Sequence, residues 1–231
     1  MTRGEMIGLS DQLLLAAFGS PFASDPFTPG TLLDVAADEV CKKTGCFYDV
    51  QPTNLVADQA LYCAPTIYQI KDIYITDADG NTHELIARTP AEMTRQWDAS
   101  WRDVSAIRIP DYLVYEGTTR VRLAPRPLIS EGSVVFEGFA TTTSKVTGSA
   151  LHLWPNETDE CPLPEDGQMA VVYKLCALRC MQFLGNPQVP EALLKMQAFE
   201  AQYKSERGDL ERNTTLRYPR GRLGPAFARS F

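Results

Sequence analysis

The stretch Glu165-Asp-Gly-Gln-Met-Ala-Val-Val-Tyr-Lys-Leu-Cys-Ala-Leu-Arg-Cys-Met-Gln-Phe-Leu184 decides how this chain folds. Two acids open it, where the positive end of a helix dipole favours them. From Met169 onward it is apolar nearly all round, interrupted only by Lys174, Arg179 and Gln182. A helix without a polar face has to be enclosed by other elements. Gly185-Asn-Pro187 ends it, and Pro190 begins a second helix in which Ala192, Met196, Phe199 and Tyr203 recur at spacings of 4, 3 and 4. The pair predicts a helical hairpin over residues 151–212.

A further helix to enclose it lies near the other end of the chain. Thr28 stands where a cap would satisfy orphan N–H groups, Pro29 suits the first helical position, and Gly45 follows Lys42 and Lys43 as a left-handed terminator. Leu33, Ala36, Ala37 and Val40 form the stripe to be buried. The residues before Phe27 are rich in Gly, Ser, Pro and Phe, and predict an arm with no more than one helical turn near Asp11. Arm and first bundle helix together occupy residues 1–59.

Between these helical ends, residues 60–150 switch to short runs of β-branched and aromatic residues separated by turns. Ile70–Thr76 and His83–Arg88 flank Asp77-Ala-Asp-Gly-Asn81, a hairpin signal because Asp-Gly accepts the positive φ of tight turns. Tyr112–Tyr115 and Arg120–Ala124 flank Glu116-Gly-Thr-Thr119 as a second hairpin, and Ser133–Thr142 adds a strand. Residues from Pro90 to Trp101 predict a short helix capped by Thr89. The expected fold is therefore α+β: a helical bundle built from N- and C-terminal helices, with an inserted small antiparallel β-sandwich or barrel. Beyond Asn213, Arg, Gly, Pro and isolated aromatics cannot bury enough area to order alone, so residues 213–231 are expected to be a disordered tail.

Composition narrows the function. With 231 residues and 44% hydrophobic content the chain can build a real core. Its net charge of -7 and pI of about 4.9 argue against a body that wraps nucleic acid. The charge is uneven: residues 213–231 hold four arginines and no acid, so residues 1–212 carry -7 minus 4, or -11. The six cysteines form no dense framework and read as reduced thiols. Glu5 and Asp11 flank the one N-terminal apolar run, unlike a secretory signal, and no run nears the ~20 apolar residues of a membrane helix. No export and no membrane partner are expected, and the sequons at Asn156 and Asn213 then read as chance matches.

No set of reactive groups stands out. His83 and His152, the only histidines, read as strand residues rather than general bases. Cys41 and Cys46 lack the further ligands of a zinc site, and Cys176 with Cys180 suits a core stripe. Asp77 and Asp79 begin like a calcium loop but lack its closing Glu. Asp98, Trp101 and Asp103 could serve sugar chemistry, although scattered acids are commoner on an acidic protein. Gly-rich phosphate and dinucleotide motifs and the Gly-x-Ser-x-Gly elbow are absent. The expectation is a non-enzyme with no metal and no cofactor.

The tail carries the sharpest functional signal. Arg217, Arg220, Arg222 and Arg229 interleave with Tyr218, Leu223, Phe227 and Phe231. A solubilising tail has no need of the apolar residues. A docking segment uses them to fill pockets while arginines pair with carboxylates, and nonspecific nucleic-acid binding is the competing use. Arg217, Tyr218, Arg220, Arg222, Phe227, Arg229 and Phe231 are the candidate docking residues.

Taken together, Tyr62-Cys-Ala-Pro65 leading into Ile70-Lys-Asp-Ile73-Tyr-Ile75, the Asp79-Gly80 turn, Trp97 in a short helix, Val121-Arg-Leu123-Ala-Pro125-Arg-Pro127, and paired helices before a basic end resemble the head-to-tail adaptor (connector) proteins of short-tailed bacteriophages. The resemblance lies in the order of elements over residues 28–231. It implies a ring, usually of twelve copies, that joins the portal protein ring to tail or nozzle proteins. DNA would pass through without specific binding, in a virion assembled in the host cytoplasm. It also implies that the C-terminal segment reaches the portal. The alternative is a carbohydrate- or receptor-binding β-sandwich on a helical mount, which would need Trp97, Trp101 and Trp154 on one exposed face.

Overall fold

The computed structural model describes residues 1–19, 28–117, 120–143, 153–184, 186 and 190–217. Two compact units emerge: a helical one containing Met1–Phe47, Thr141–Ser144 and Ala150–Phe231, and a β unit built on Tyr48–Ala140. The class is α+β, with helices from both ends of the chain packed together.

In the helical unit, α4 (Glu165–Met181) is enclosed by α1 (Arg3–Phe18), α2 (Pro29–Thr44) and α5 (Ala192–Arg217). The apolar circumference of α4 explains this, since Val171, Val172, Leu175, Cys176 and Cys180 are all fully buried although they point in different directions. Each fully buried large aliphatic contributes about 1.5–3 kcal/mol. The stripe Leu33, Ala36, Ala37 and Val40 is buried as its spacing predicts. Gly45 ends α2 at φ 63°, whereas Thr28 makes no cap bond to the backbone, its hydroxyl lying 2.7 Å from that of Thr31.

The expected arm is corrected at its start. Residues 3–18 form a 16-residue helix, opened by a reciprocal Thr2/Glu5 capping box and closed by Gly19 at φ 72°. Its buried positions are Arg3, Met6, Ser10 and Leu14. Two of these are polar, so the sequence shows no clean apolar stripe. The first turn is further fixed by Arg3 N and Gly4 N, which donate to Asp159 O (2.9 Å) and Glu157 O (2.8 Å).

The cations that interrupt the α4 pattern are buried with partners. Lys174 Nζ lies 2.8 Å from Glu200 and 3.1 Å from Glu39, tying α4 to α5 and α2. Arg179 Nη1 donates to Ser10 Oγ (2.8 Å) and Asp11 Oδ1 (2.5 Å), tying α4 to α1. Asp38, also buried, accepts from the backbone and hydroxyls of Thr142 and Thr143 and so holds the chain where it returns to this unit. Asp38→Ala would leave the buried Thr142 N–H and hydroxyl unmatched. At ~1–3 kcal/mol for each unsatisfied group, we expect a loss of roughly 2–4 kcal/mol in urea denaturation with an unchanged m-value.

Among the described residues the β unit holds three sheets. The first has the order β1-β10-β3-β4, from β1 (Tyr48–Asn54), β3 (Ile67–Thr76), β4 (Thr82–Glu84) and β10 (Ser133–Ala140), all antiparallel. The second has β2 (Leu61–Cys63), β8 (Arg120–Ala124), β7 (Tyr112–Tyr115) and β5 (Ile86–Arg88) in that order, and the third pairs β6 (Ser105–Ala106) with β9 (Arg126–Pro127). The β7–β8 hairpin stands where the sequence places it; α3 (Pro90–Trp97) starts there too, with its Thr89/Glu92 capping box, but stops short of the expected Trp101, because Asp98 at φ 66° ends it and Trp101 begins a separate 3-10 turn.

Three expectations are corrected. The expected strand His83–Arg88 is broken at Leu85, so that His83 pairs in the first sheet while Ile86–Arg88 runs parallel to β7 in the second. With β6–β9 also parallel, the β unit combines parallel with antiparallel pairing rather than being purely antiparallel. Strand β1 lies upstream of residue 60, the expected start of the β module. Gly138 permits the irregularity between β10 and β3, because a Cβ there would sit 2.2 Å from Gln69 O.

Candidate functional site

The candidate docking segment begins where α5 ends. Helices α4 and α5 run antiparallel, with Lys174 opposite Glu200, Gly167 opposite Leu210, and Asp166 Oδ2 accepting from Asn213 Nδ2 at 3.2 Å. A Cβ on Gly167 would meet the Leu210 side chain at 3.3 Å, so the glycine lets the helices close. Leu210 and Thr214 are buried, which carries the Phe199–Tyr203 stripe on for three more turns. The helix therefore runs through Asn213 to Arg217, five residues into the segment expected to be disordered. Weak helix formers at Asn213, Thr214 and Thr215 hid this, and burial of Thr214 outweighs their propensity.

Of the candidate docking residues, Arg217 closes α5. Tyr218, Arg220, Arg222, Phe227, Arg229 and Phe231 lie outside the described residues. What is fixed is their root: Arg217 is three residues from Thr214, which is only 7% exposed. From there the chain continues for 14 residues that contain three arginines and no acid.

The other candidates are structural. His83 Nε2 lies 2.8 Å from Asp77 Oδ2, and Asp77 also accepts from Asp79 N, Asn81 N and the Asn81 side chain. These contacts, with His83 first, hold the Asp77 carboxyl far below its usual range and lock the turn. Asp98 accepts from Ser100 N and Oγ at 2.6 Å each, just after α3. His152 lies outside the described residues. Trp101 and Trp154 are buried (1% and 0% exposed), and Trp97 packs edge-on against Tyr112 at 5.5 Å, so the shared exposed tryptophan face of a sugar-binding module does not form.

All six cysteines are described and none is in a disulfide. Burial pushes the Cys161 thiol up to about 11 and that of Cys176 up to about 12, which keeps both protonated and unreactive. Native protein treated with iodoacetamide is expected to gain its first label at Cys63, the one half-exposed thiol, and the other five only in denaturant, as peptide mass mapping would show. Among the described residues no group of three His, Cys, Asp or Glu is arranged to hold a metal, and no helix is long and apolar enough to cross a membrane.

The sequence model of the family described as SU10 adaptor protein matches residues 1–225, nearly the whole chain. The chain belongs to this family. It is thus a phage head–tail adaptor, a structural protein and not an enzyme. No match is found among curated proteins. For an SU10 adaptor family member, what has to be explained is attachment, and the described residues supply a four-helix unit whose last helix, α5, closes at Arg217.

Proposed function

We propose that this adaptor assembles as a ring of like subunits at the head–tail junction of the virion. The ring joins the portal to tail or nozzle proteins and leaves a passage for DNA. Residues from Arg217 to Phe231 act as the strap to the portal, with Tyr218, Phe227 and Phe231 as anchors and Arg217, Arg220, Arg222 and Arg229 as partners for carboxylates. The observation that carries the reading is the family match over residues 1–225. Family membership agrees with the lack of a metal-holding group among the described residues, and the packing of α5 on α4 supports a strap rooted at Arg217. At ~3.3–3.6 Å per residue, the 14 residues beyond Arg217 reach roughly 46–50 Å, enough to cross to an adjoining ring. The acidic body suits a DNA passage because like charge discourages sticking. Imaging of assembled particles tests the reading: a coaxial ring of this chain between portal and tail is expected, and a peripheral spike or a scattered monomer would overturn it.

A further inference from the structure

The first sheet of the β unit buries one face through Ile73, Ile75, Val134 and Phe136. Its other face has an unusual make-up. Glu137, in the middle of β10, accepts from Tyr48 OH (3.2 Å) on β1 and from Tyr74 OH (2.8 Å) on β3, so one carboxylate fixes two aromatic rings on either side of it. Burial and the Glu137 charge push the Tyr48 hydroxyl up to about 12, so it stays a donor and the clamp stays closed at neutral pH. Val50, paired directly with Glu137, is 48% exposed on the edge strand. Asp72 lies opposite Glu137 on the other flank, and Glu84 lies opposite Tyr74 on β4; both are exposed. Among the described residues none of these three carboxylates forms an ion pair.

We infer that this outer face is a docking platform for an extended, arginine-bearing segment of another virion protein, with aromatic or aliphatic residues between the arginines. Charge and shape both select that partner. Among the described residues, Glu137, Asp72 and Glu84 stand against the one ammonium of Lys71 and leave the described face net negative, and guanidinium groups pair with carboxylates bidentately. The tethered Tyr48 and Tyr74 rings and Val50 offer apolar area already held in place, which lowers the ordering cost of binding. The face also receives a cation of the chain itself, since Lys71 Nζ sits 4.9 Å from the Phe139 ring centroid. This inference is independent of the role proposed for the C-terminal strap.

The test uses the full chain and a fluorescein-labelled synthetic peptide, Gly-Arg-Tyr-Gly-Arg-Phe-Gly-Arg, followed by anisotropy at two salt concentrations. Saturable binding is expected, weakened at least tenfold by the double change Asp72→Asn with Glu84→Gln and about fivefold by Tyr74→Ala. The control double Asp103→Asn with Glu131→Gln removes the same charge from other exposed positions of the β unit, and should bind as the parent does. Equal losses in the two doubles would reduce the effect to net charge and overturn the platform. Absence of saturable binding, or uptake of the neutral sugar maltoheptaose in place of the peptide, would overturn it as well. Binding that appears only after removal of residues 218–231 would make the chain's own tail the occupant and overturn the assignment to another protein.

Discussion

Lys174→Ala is expected to destabilise the helical unit by about 2–4 kcal/mol, somewhat below the ~3–5 kcal/mol typical of breaking a fully buried ion pair. The discount follows from the carboxylates: the lysine side chain is 8% exposed, but Glu39 and Glu200 keep 27% and 24%. The change also removes the ammonium 5.2 Å from the Tyr203 ring and leaves a gap where three helices meet. The double change Lys174→Met with Glu200→Leu should recover most of the loss, because it replaces the pair with apolar volume instead of orphaning one charge. Burial alone would push Lys174 down, but Glu200 and Glu39 outweigh it and hold its pKa above the usual value. Burial pushes Glu39 up, and Lys43 and Lys174 outweigh that in turn, so Glu39 is lowered. The sign follows for each group. The Glu39 contribution is present above its unfolded value near ~4.3 and fades as pH falls through its lower folded value. The Lys174 contribution is present below about 10.4 and fades as pH rises through its higher folded value. Urea midpoints of parent and Lys174→Ala protein should therefore differ most between about pH 5 and 10 and converge outside that range.

Elements whose stability is local were legible in the sequence. The α2 stripe repeats at helical spacing, α3 has a Thr-x-x-Glu box, and β7 and β8 flank a short turn, so each carries its own signal. The missed elements depend on distant partners. Strand β1 reads Tyr-Asp-Val-Gln-Pro-Thr-Asn, a polar run with a proline, and forms because every residue pairs with β10, from Tyr48↔Phe139 to Asn54↔Ser133. Pro52 is tolerable there because β1 lies at the sheet edge. Helix α1 buries Arg3 against Asp34 and Ser10 against Arg179, partners supplied by α2 and α4, so no apolar stripe announces it. The same logic applies at the site. Composition identified a basic, aromatic segment near the C-terminus, while its root moved to Arg217 because Thr214 and Leu210 find burial against α4 that no local propensity encodes.

Removing residues 218–231 should leave both units folded and reduce attachment to the portal to background. Folding is expected to survive because the helical core is closed without that segment: α5 is already held on α4 by Phe199, Tyr203 and Leu210, and Asn213 bonds Asp166 four residues before the helix ends. Circular dichroism and urea midpoints of the truncated chain should therefore match the parent. Attachment should fail because the deletion removes three arginines and all the aromatic residues beyond Arg217, and interface energy concentrates in a few buried aromatic and arginine anchors. Within the full chain, Phe227→Ala with Phe231→Ala should weaken capture by portal rings more than Arg229→Ala. Loss of a desolvated ring at a hot spot costs ~2 kcal/mol or more, about thirtyfold in affinity, whereas a rim charge screened by solvent contributes about 1 kcal/mol or less. Phosphate binding would invert that ranking, because each arginine lost would lower affinity and binding would fall steeply with salt. A pull-down on portal rings with parent, truncated, double-Phe and Arg229→Ala chains at 50 and 200 mM salt separates the two. Undiminished capture of the truncated chain would remove the segment from the attachment mechanism and leave the body surfaces of the adaptor to make the joint.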